Sequence, residues 1–230
     1  MLTQTMVHQA PLHQPFARGP QMPASRPSYS PKNPIELMGA AMPFTNGEEI
    51  YGEKECAEYF YKVLDGCVRT YKMLNDGRRQ IGAFYMPGDT FGLEAGDEHT
   101  SSAEAIGDCK VLVIKRNPVI TLAARNNDVA HHLWALTASE LSRAQNHMML
   151  LIKTAQERVA GFLLDMATRL SGSDQIDLPM SRQDIADYLG LTIETVSRTL
   201  TQFEQAATIS VPTSRRIVVR KRNVLLRLNS

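Results

Sequence analysis

Residues 179–204 read Pro-Met-Ser-Arg-Gln-Asp-Ile-Ala-Asp-Tyr-Leu-Gly-Leu-Thr-Ile-Glu-Thr-Val-Ser-Arg-Thr-Leu-Thr-Gln-Phe-Glu, and each local choice fits two short helices joined by a tight turn. Ser181 can cap the first helix, and Asp184 lies in its first turn, where a carboxylate favours the helix dipole. Ile185, Ala186 and Leu189 fall on one face, with the small Ala186 where two helices must cross closely. Gly190 can take the left-handed backbone conformation that turns the chain, and Thr192 can cap the second helix. Val196 and Leu200 anchor that helix from behind and Ile193 packs beside them. Glu194, Thr195, Ser197 and Arg198 are left on the outward, N-terminal part, where a recognition helix meets base edges. An amphipathic helix pair buried in a core accounts equally well for the apolar spacing.

A core helix pair does not explain the residues C-terminal to it. Ile209–Val211 and Ile217–Val219 flank Pro212–Arg216 and read as a β-hairpin, so the segment predicts a winged helix-turn-helix. Charge supports this. Residues 179–230 hold eight Lys/Arg against four Asp/Glu, whereas the preceding residues hold 17 against 20, so a nearly neutral chain carries a basic end. Six basic residues and no acid lie between Thr213 and Leu228, which suits a polyanion, although a solvated basic tail gives the same composition.

Upstream, residues 119–160 contain no Gly or Pro, a helical stretch of 42 residues that is too long for one ordinary helix. Asn126-Asn127-Asp128 offers a break and an N-cap, leaving a long helix from about Val129 into the 150s. Two stripes run along it. Leu141, Ala144, Met148, Leu151 and Ala155 are expected to pack on the preceding domain. Leu133, Leu136, Glu140, Arg143, His147, Leu150 and Thr154 keep alternating spacings of three and four and are expected to meet a second helix in a homodimer. One wide face buried within a single domain is the alternative.

Between Phe44 and Val113 the chain changes to short alternating runs broken by turn pairs, and nine of its 14 glycines lie between Gly47 and Gly107. A compact antiparallel barrel or roll is expected, with Tyr59–Leu64 and Cys67–Leu74 paired as a hairpin through Asp65-Gly66. Residues 1–34 carry seven of the 12 prolines and no hydrophobic period, and are expected to form an extended or disordered arm. The resulting domain plan is an arm over 1–34, a β-roll over 35–127, a dimerisation helix over 128–156 and a winged helix-turn-helix over 157–230, in the α+β class.

Several functions are excluded on residue types. Nothing approaches 18 consecutive apolar residues and no short apolar leader is visible, so a cytoplasmic protein without membrane contact is expected. Cys56, Cys67 and Cys109 lack metal-ligand spacing and read as small buried hydrophobes. His99, His131, His132 and His147 sit in no haem-attachment motif. No nucleophile-base pair, phosphate-binding loop or metal motif appears, so an enzyme is not expected and no cofactor is assigned.

Arg182-Gln183-Asp184-Ile185-Ala186 and Leu189-Gly190-Leu191-Thr192-Ile193-Glu194-Thr195-Val196-Ser197-Arg198 resemble the DNA-binding motif of the cyclic-AMP receptor protein and fumarate-nitrate-reduction regulator superfamily, closest to its FixK-type branch, regulators of low-oxygen respiration and nitrogen fixation. The resemblance spans about residues 45–225, with roll, long helix and winged helix in the family's order. It implies that Glu194, Ser197 and Arg198 read a TTGA-type inverted repeat as a homodimer that recruits RNA polymerase. The chemistry agrees: Arg198 suits guanine O6 and N7, and Glu194 can accept from a cytosine amine. Ser181, Arg182, Thr192, Thr195, Arg215 and Arg216 are placed for phosphates.

Three features of the family are missing. Relatives that bind cyclic nucleotides carry an Arg-Ser at the phosphate position, where this chain has Ser101-Ser102-Ala103, and Glu94 is displaced by one place. A buried phosphate without a cation is strongly disfavoured, so no cyclic nucleotide is expected. Iron-sulfur relatives need cysteines near the N-terminus, and residues 1–55 contain none. Glu204–Thr208 also lacks the glycine usual after the recognition helix, so an alanine there must take a strained conformation or the cap another shape. Two functions stay open: a transcription regulator that needs no small-molecule effector, and a ligand-gated regulatory module whose winged helix binds protein.

Overall fold

The alternation of apolar residues between Gly39 and Lys115 builds one antiparallel sheet, described from a computed structural model over residues 33–170 and 174–229. Residues 1–32 of the segment expected to form an arm over 1–34 lie outside the described residues. Strands β1 (Gly39–Phe44), β2 (Glu49–Tyr51), β3 (Tyr59–Met73), β4 (Arg79–Tyr85), β5 (Thr90–Phe91) and β6 (Ser102–Lys115) pair in the order β1-β6-β3-β4, with β2 on β6 and β5 on β3. The roll and the α+β class are as the sequence predicts.

The expected hairpin at Asp65-Gly66 does not form. Both halves pair with β6, so Tyr59–Met73 is one 15-residue strand whose register slips on either side of Asp65. Gly66 has φ of +81° and marks an irregularity rather than a turn. A Cβ there would stand 2.6 Å from Cys109 Cβ and 2.7 Å from the Asp108 carbonyl oxygen, so only glycine fits. The hairpin sits one turn later, where the Leu74 amide donates to Arg78 O at 2.8 Å and Gly77 to Leu74 O at 2.9 Å.

The sheet buries both faces. Inside the roll, Tyr51, Tyr61, Tyr85 and Phe91 pack ring on ring, and His99, 2% exposed, stacks on Tyr51 with centroids 3.6 Å apart. On the other face Cys67, Ile81, Phe84, Met86 and Ile106 join the core of the C-terminal helices. The period-two pattern of a strand explains the division: Ala83 and Tyr85 point inward and Phe84 outward. Cys67 and Cys109 are buried, as expected, but Cys56 is exposed.

Helix α1 (Arg116–Ala123) leads into α2 (Asn127–Leu151), capped by Asn126, whose Oδ1 accepts from the amides of Asp128 and Val129 at 3.0 and 3.2 Å. The stripe expected to pack on the roll is not the one that meets it. Leu133, Leu136, Glu140, Arg143, His147 and Leu150 are the half-buried positions of α2 and face the chain's own roll and winged helix. Tyr85 Oη donates to Glu140 at 2.9 Å, and Arg143 Nη2 pairs with Asp89 at 2.9 Å. The His147 ring stacks nearly parallel on the Tyr188 ring with centroids 4.0 Å apart, and its Nε2 lies 2.8 Å from Tyr188 O. Trp134, Thr137, Leu141, Ala144 and Met148 are exposed instead, again at spacings of three and four, with Trp134 77% exposed. Spacing identifies both stripes, but only the roll's acceptors and donors show which one is taken by charged partners.

Beyond α2 come α3 (Ala155–Leu170), β7 (Gln175–Asp177), α4 (Arg182–Leu189), α5 (Ile193–Gln205), β8 (Ile209–Ser210), β9 (Arg216–Val219) and α6 (Arg222–Asn229). The hairpin β8–β9 gains β7 on its other side. That third strand carries no sequence signal, because Gln175-Ile176-Asp177 is too short to show a period.

Candidate nucleic-acid interface

Helix α4 begins where Ser181 Oγ accepts from the Asp184 amide and the Asp184 carboxylate accepts from the Ser181 amide and hydroxyl, a reciprocal capping box. It ends at Gly190, with φ of +61° and ψ of +39°, the left-handed turn only glycine takes without strain. Thr192 Oγ1 then accepts from the Thr195 amide at 3.2 Å and starts α5. Ile185, Ala186, Leu189, Val196 and Leu200 are all buried, so the crossing of α4 and α5 is set by their own apolar faces.

With that face turned inward, Glu194, Ser197 and Arg198 share the exposed side of the first two turns of α5, one helical turn apart. Among the described residues Ser197 and Arg198 make no side-chain hydrogen bond or ion pair, so these groups are available to an external partner. The backbone amide of Glu194 and the Thr192 hydroxyl hold the Glu194 carboxyl below the usual carboxylate range, keeping it a charged acceptor.

The residues assigned to phosphates divide. Thr192, Arg215 and Arg216 are exposed. The wing arginines are pre-oriented: Arg215 Nη1 donates to Pro179 O at 2.9 Å, and Arg216 Nε pairs with Asp177 at 2.6 Å. Ser181 and Thr195 are half-buried, and the Thr195 hydroxyl bonds that of Thr192 at 3.1 Å. Arg182 is half-buried too; its Nη1 has no hydrogen-bond partner among the described residues, and burial holds the guanidinium below its ordinary pKa.

The turn after α5 takes the strained form. Ala207 has φ of +51°, its amide donates to Glu204 O at 2.9 Å and the Thr208 amide to Phe203 O at 2.8 Å. These are the two bonds of a Schellman motif with alanine in the position glycine prefers.

The residues that seat the helix pair come from far along the chain. Asp184 accepts from Arg69 and Arg79 of the roll, 115 and 105 positions away, and Arg169 of α3 pairs with Asp89. No sequence signal marks pairs so far apart.

Comparison with known proteins places this architecture. The Crp-like helix-turn-helix domain family matches residues 157–228, and the cyclic nucleotide-binding domain family matches residues 41–126. The chain is 48% identical over 213 residues to the nitrogen fixation regulation protein FixK of Azorhizobium caulinodans, across 90% of this chain and 86% of that protein. It is 41% identical over 181 residues to the transcriptional activatory protein AadR of Rhodopseudomonas palustris, across 76% of each. The solved structure of FixK2 from Bradyrhizobium japonicum superposes with a TM-score of 0.81 at 51% identity, over 84% of this chain and 98% of that one. These relatives are regulators of transcription, not enzymes. With its roll, long helix and capped helix-turn-helix in the same order, the chain belongs to the Crp/Fnr family of transcription regulators, in the FixK branch.

Proposed function

We propose that the protein is a cytoplasmic transcription activator that binds a TTGA-type inverted repeat as a homodimer, needs no small-molecule effector, recruits RNA polymerase, and controls genes of low-oxygen respiration or nitrogen fixation. The observation that carries the reading is the exposed Ser197 and Arg198, whose side chains are unpaired among the described residues, beside a charged Glu194 on the first turns of α5. Arginine presents two parallel donors to guanine O6 and N7, and the carboxylate accepts from a cytosine amine, so the three positions suit a short defined sequence. Thr192, Arg215 and Arg216, with Ser181, Arg182 and Thr195 beside them, serve phosphates and set register.

The dimer is supported by Trp134, Leu141 and Met148, large apolar side chains 59–77% exposed on one face of α2. A second copy of the helix covers such a stripe by coiled-coil packing, and its two-fold axis sets the recognition helices about one DNA turn apart. Independence from an effector is supported by the rings of Tyr51, Tyr61, Tyr85, Phe91 and His99 filling the roll. The cavity beside Gly92-Leu93-Glu94 measures 160 Å³, below the roughly 300–1,000 Å³ of small-molecule sites. No arginine occupies the position of a cyclic phosphate's partner at Ser101-Ser102-Ala103. The relatives' names support the regulatory target. Selection of bound duplexes from a random pool by purified protein, with nothing added, tests the reading. Enrichment of two-fold TTGA sequences is expected, and enrichment only when cyclic AMP is supplied would overturn it.

A further inference from the structure

Five charged side chains meet where the roll abuts the first helix of the helix-turn-helix. Asp184 Oδ1 accepts from Arg69 Nη1 at 2.7 Å and Arg79 Nη2 at 2.6 Å, while Oδ2 is held by Ser181. Arg79 also reaches Asp187, one turn further along α4, at 2.8 Å, and Arg69 Nη2 reaches Glu104 of β6 at 2.6 Å. Their side chains are 5–22% exposed. The aspartate that caps α4 is thus also the receptor for two arginines from another domain.

The apolar contact around this cluster holds the domains together and limits how they can pack, and Arg169 to Asp89 and Gln80 Nε2 to the Tyr188 carbonyl add directional bonds across the same boundary. The buried ion pairs of Arg69 and Arg79 add little net stability over apolar packing, but their geometry is specific and they end on the residue that caps α4. We propose that Arg69 and Arg79 are positioning residues for DNA recognition, a latch that holds α4, and through it α5, at the angle the two-fold site requires. In the latched arrangement Glu194, Ser197 and Arg198 stay exposed, so the latch does not cover the reading residues. A domain held by its own chain in this way has no need of a ligand to set its angle. This inference rests on the two-fold DNA reading above.

The test uses the full-length protein with Arg79→Gln, Arg79→Asp, and Arg79→Asp combined with Asp187→Arg, which restores an opposite-charge pair. Affinity is measured on symmetric TTGA duplexes whose half-site spacing varies by single base pairs, alongside hydrogen exchange of α4 in the free protein. Loss of the latch should weaken binding to the best-spaced duplex by about tenfold per subunit, as the competent fraction falls, and flatten the spacing preference. Arg79→Gln should fall between, and the charge swap should recover most of both effects. A general loss of stability would not move spacing preference. Wild-type affinity and spacing preference in both single variants would overturn the latch, as would a loss the swap fails to recover. If wild type shows no preference for the two-fold duplex, the DNA reading itself fails and exchange decides the latch alone. Faster exchange of α4 in Arg79→Asp, reversed by the swap, supports it; unchanged exchange refutes it.

Discussion

Replacing Arg198 by alanine separates reading from anchoring. The Arg198 side chain makes no intrachain hydrogen bond or ion pair among the described residues and lies on the exposed face of α5, so its truncation should leave unfolding free energy within about 0.5 kcal/mol of wild type. A bidentate guanine contact is worth about 1–3 kcal/mol, and a dimer makes it twice. The loss on a symmetric site is then about 2–6 kcal/mol, or between about 30-fold and 20,000-fold in affinity. The loss should concentrate on one base pair of each half-site and be far smaller on a scrambled duplex. Arg216→Ala is the contrasting change. Arg216 is already turned along Asp177, which offsets part of its charge, and in the proposed complex it faces phosphate and not a base. Its loss should weaken specific and scrambled DNA alike and lower the slope of log affinity against log salt by about 0.9 per contact removed. Fluorescence anisotropy on both duplexes at four salt concentrations, with urea unfolding of each variant, measures all of this. Unchanged base preference in Arg198→Ala, with folding intact, would refute the assignment of α5 as the reading helix.

Met148→Glu places a charge on the exposed stripe of α2, and sedimentation should show dimer dissociation raised at least about 100-fold, since two apolar side chains lose about 1.5–3 kcal/mol each; Leu136→Ala, on the inward stripe, should leave the dimer in place. Ala207→Gly relieves the left-handed alanine, whose steric cost is about 1–2 kcal/mol, against about 0.4–1 kcal/mol of added chain entropy, so urea unfolding should show net stabilisation of about 0.5–1 kcal/mol. Burial lowers the His147 pKa below 6.5, outweighing the carbonyls of Tyr188 and Gly82. The unfolded chain therefore binds the extra proton first, and stability falls as pH drops from about 6.5 towards the folded value. Glu140, raised by burial, contributes the opposite slope above pH 4.5, so the difference between wild type and His147→Gln in thermal unfolding across pH 4.5–7 isolates the histidine.

Much of the recognition helix could be read from the sequence alone, because its determinants lie within a few residues of one another. Ser181 with Asp184, Gly190, and Thr192 with Thr195 act at spacings of two to four positions, where a side chain competes for or completes its own helix terminus. The strain at Ala207 was legible for the same reason: a Schellman turn needs a left-handed residue, and no glycine is within reach. The roll was legible as a class from period-two alternation and turn glycines. Where strands pair was not, since Asp65-Gly66 forms a turn or an irregularity according to whether both flanks find the same partner strand, and β6 lies some 40 positions on. The stripes of α2 show the limit most clearly. Both repeat at three and four, and which one turns inward was decided by Tyr85, Asp89 and Tyr188, whose hydroxyl, carboxylate and carbonyl meet Glu140, Arg143 and His147. The latch of Arg69 and Arg79 on Asp184 belongs wholly to the tertiary structure. Ion pairs between residues more than 100 positions apart leave no local pattern, and they exist only once the hydrophobic face of the roll has met the helices.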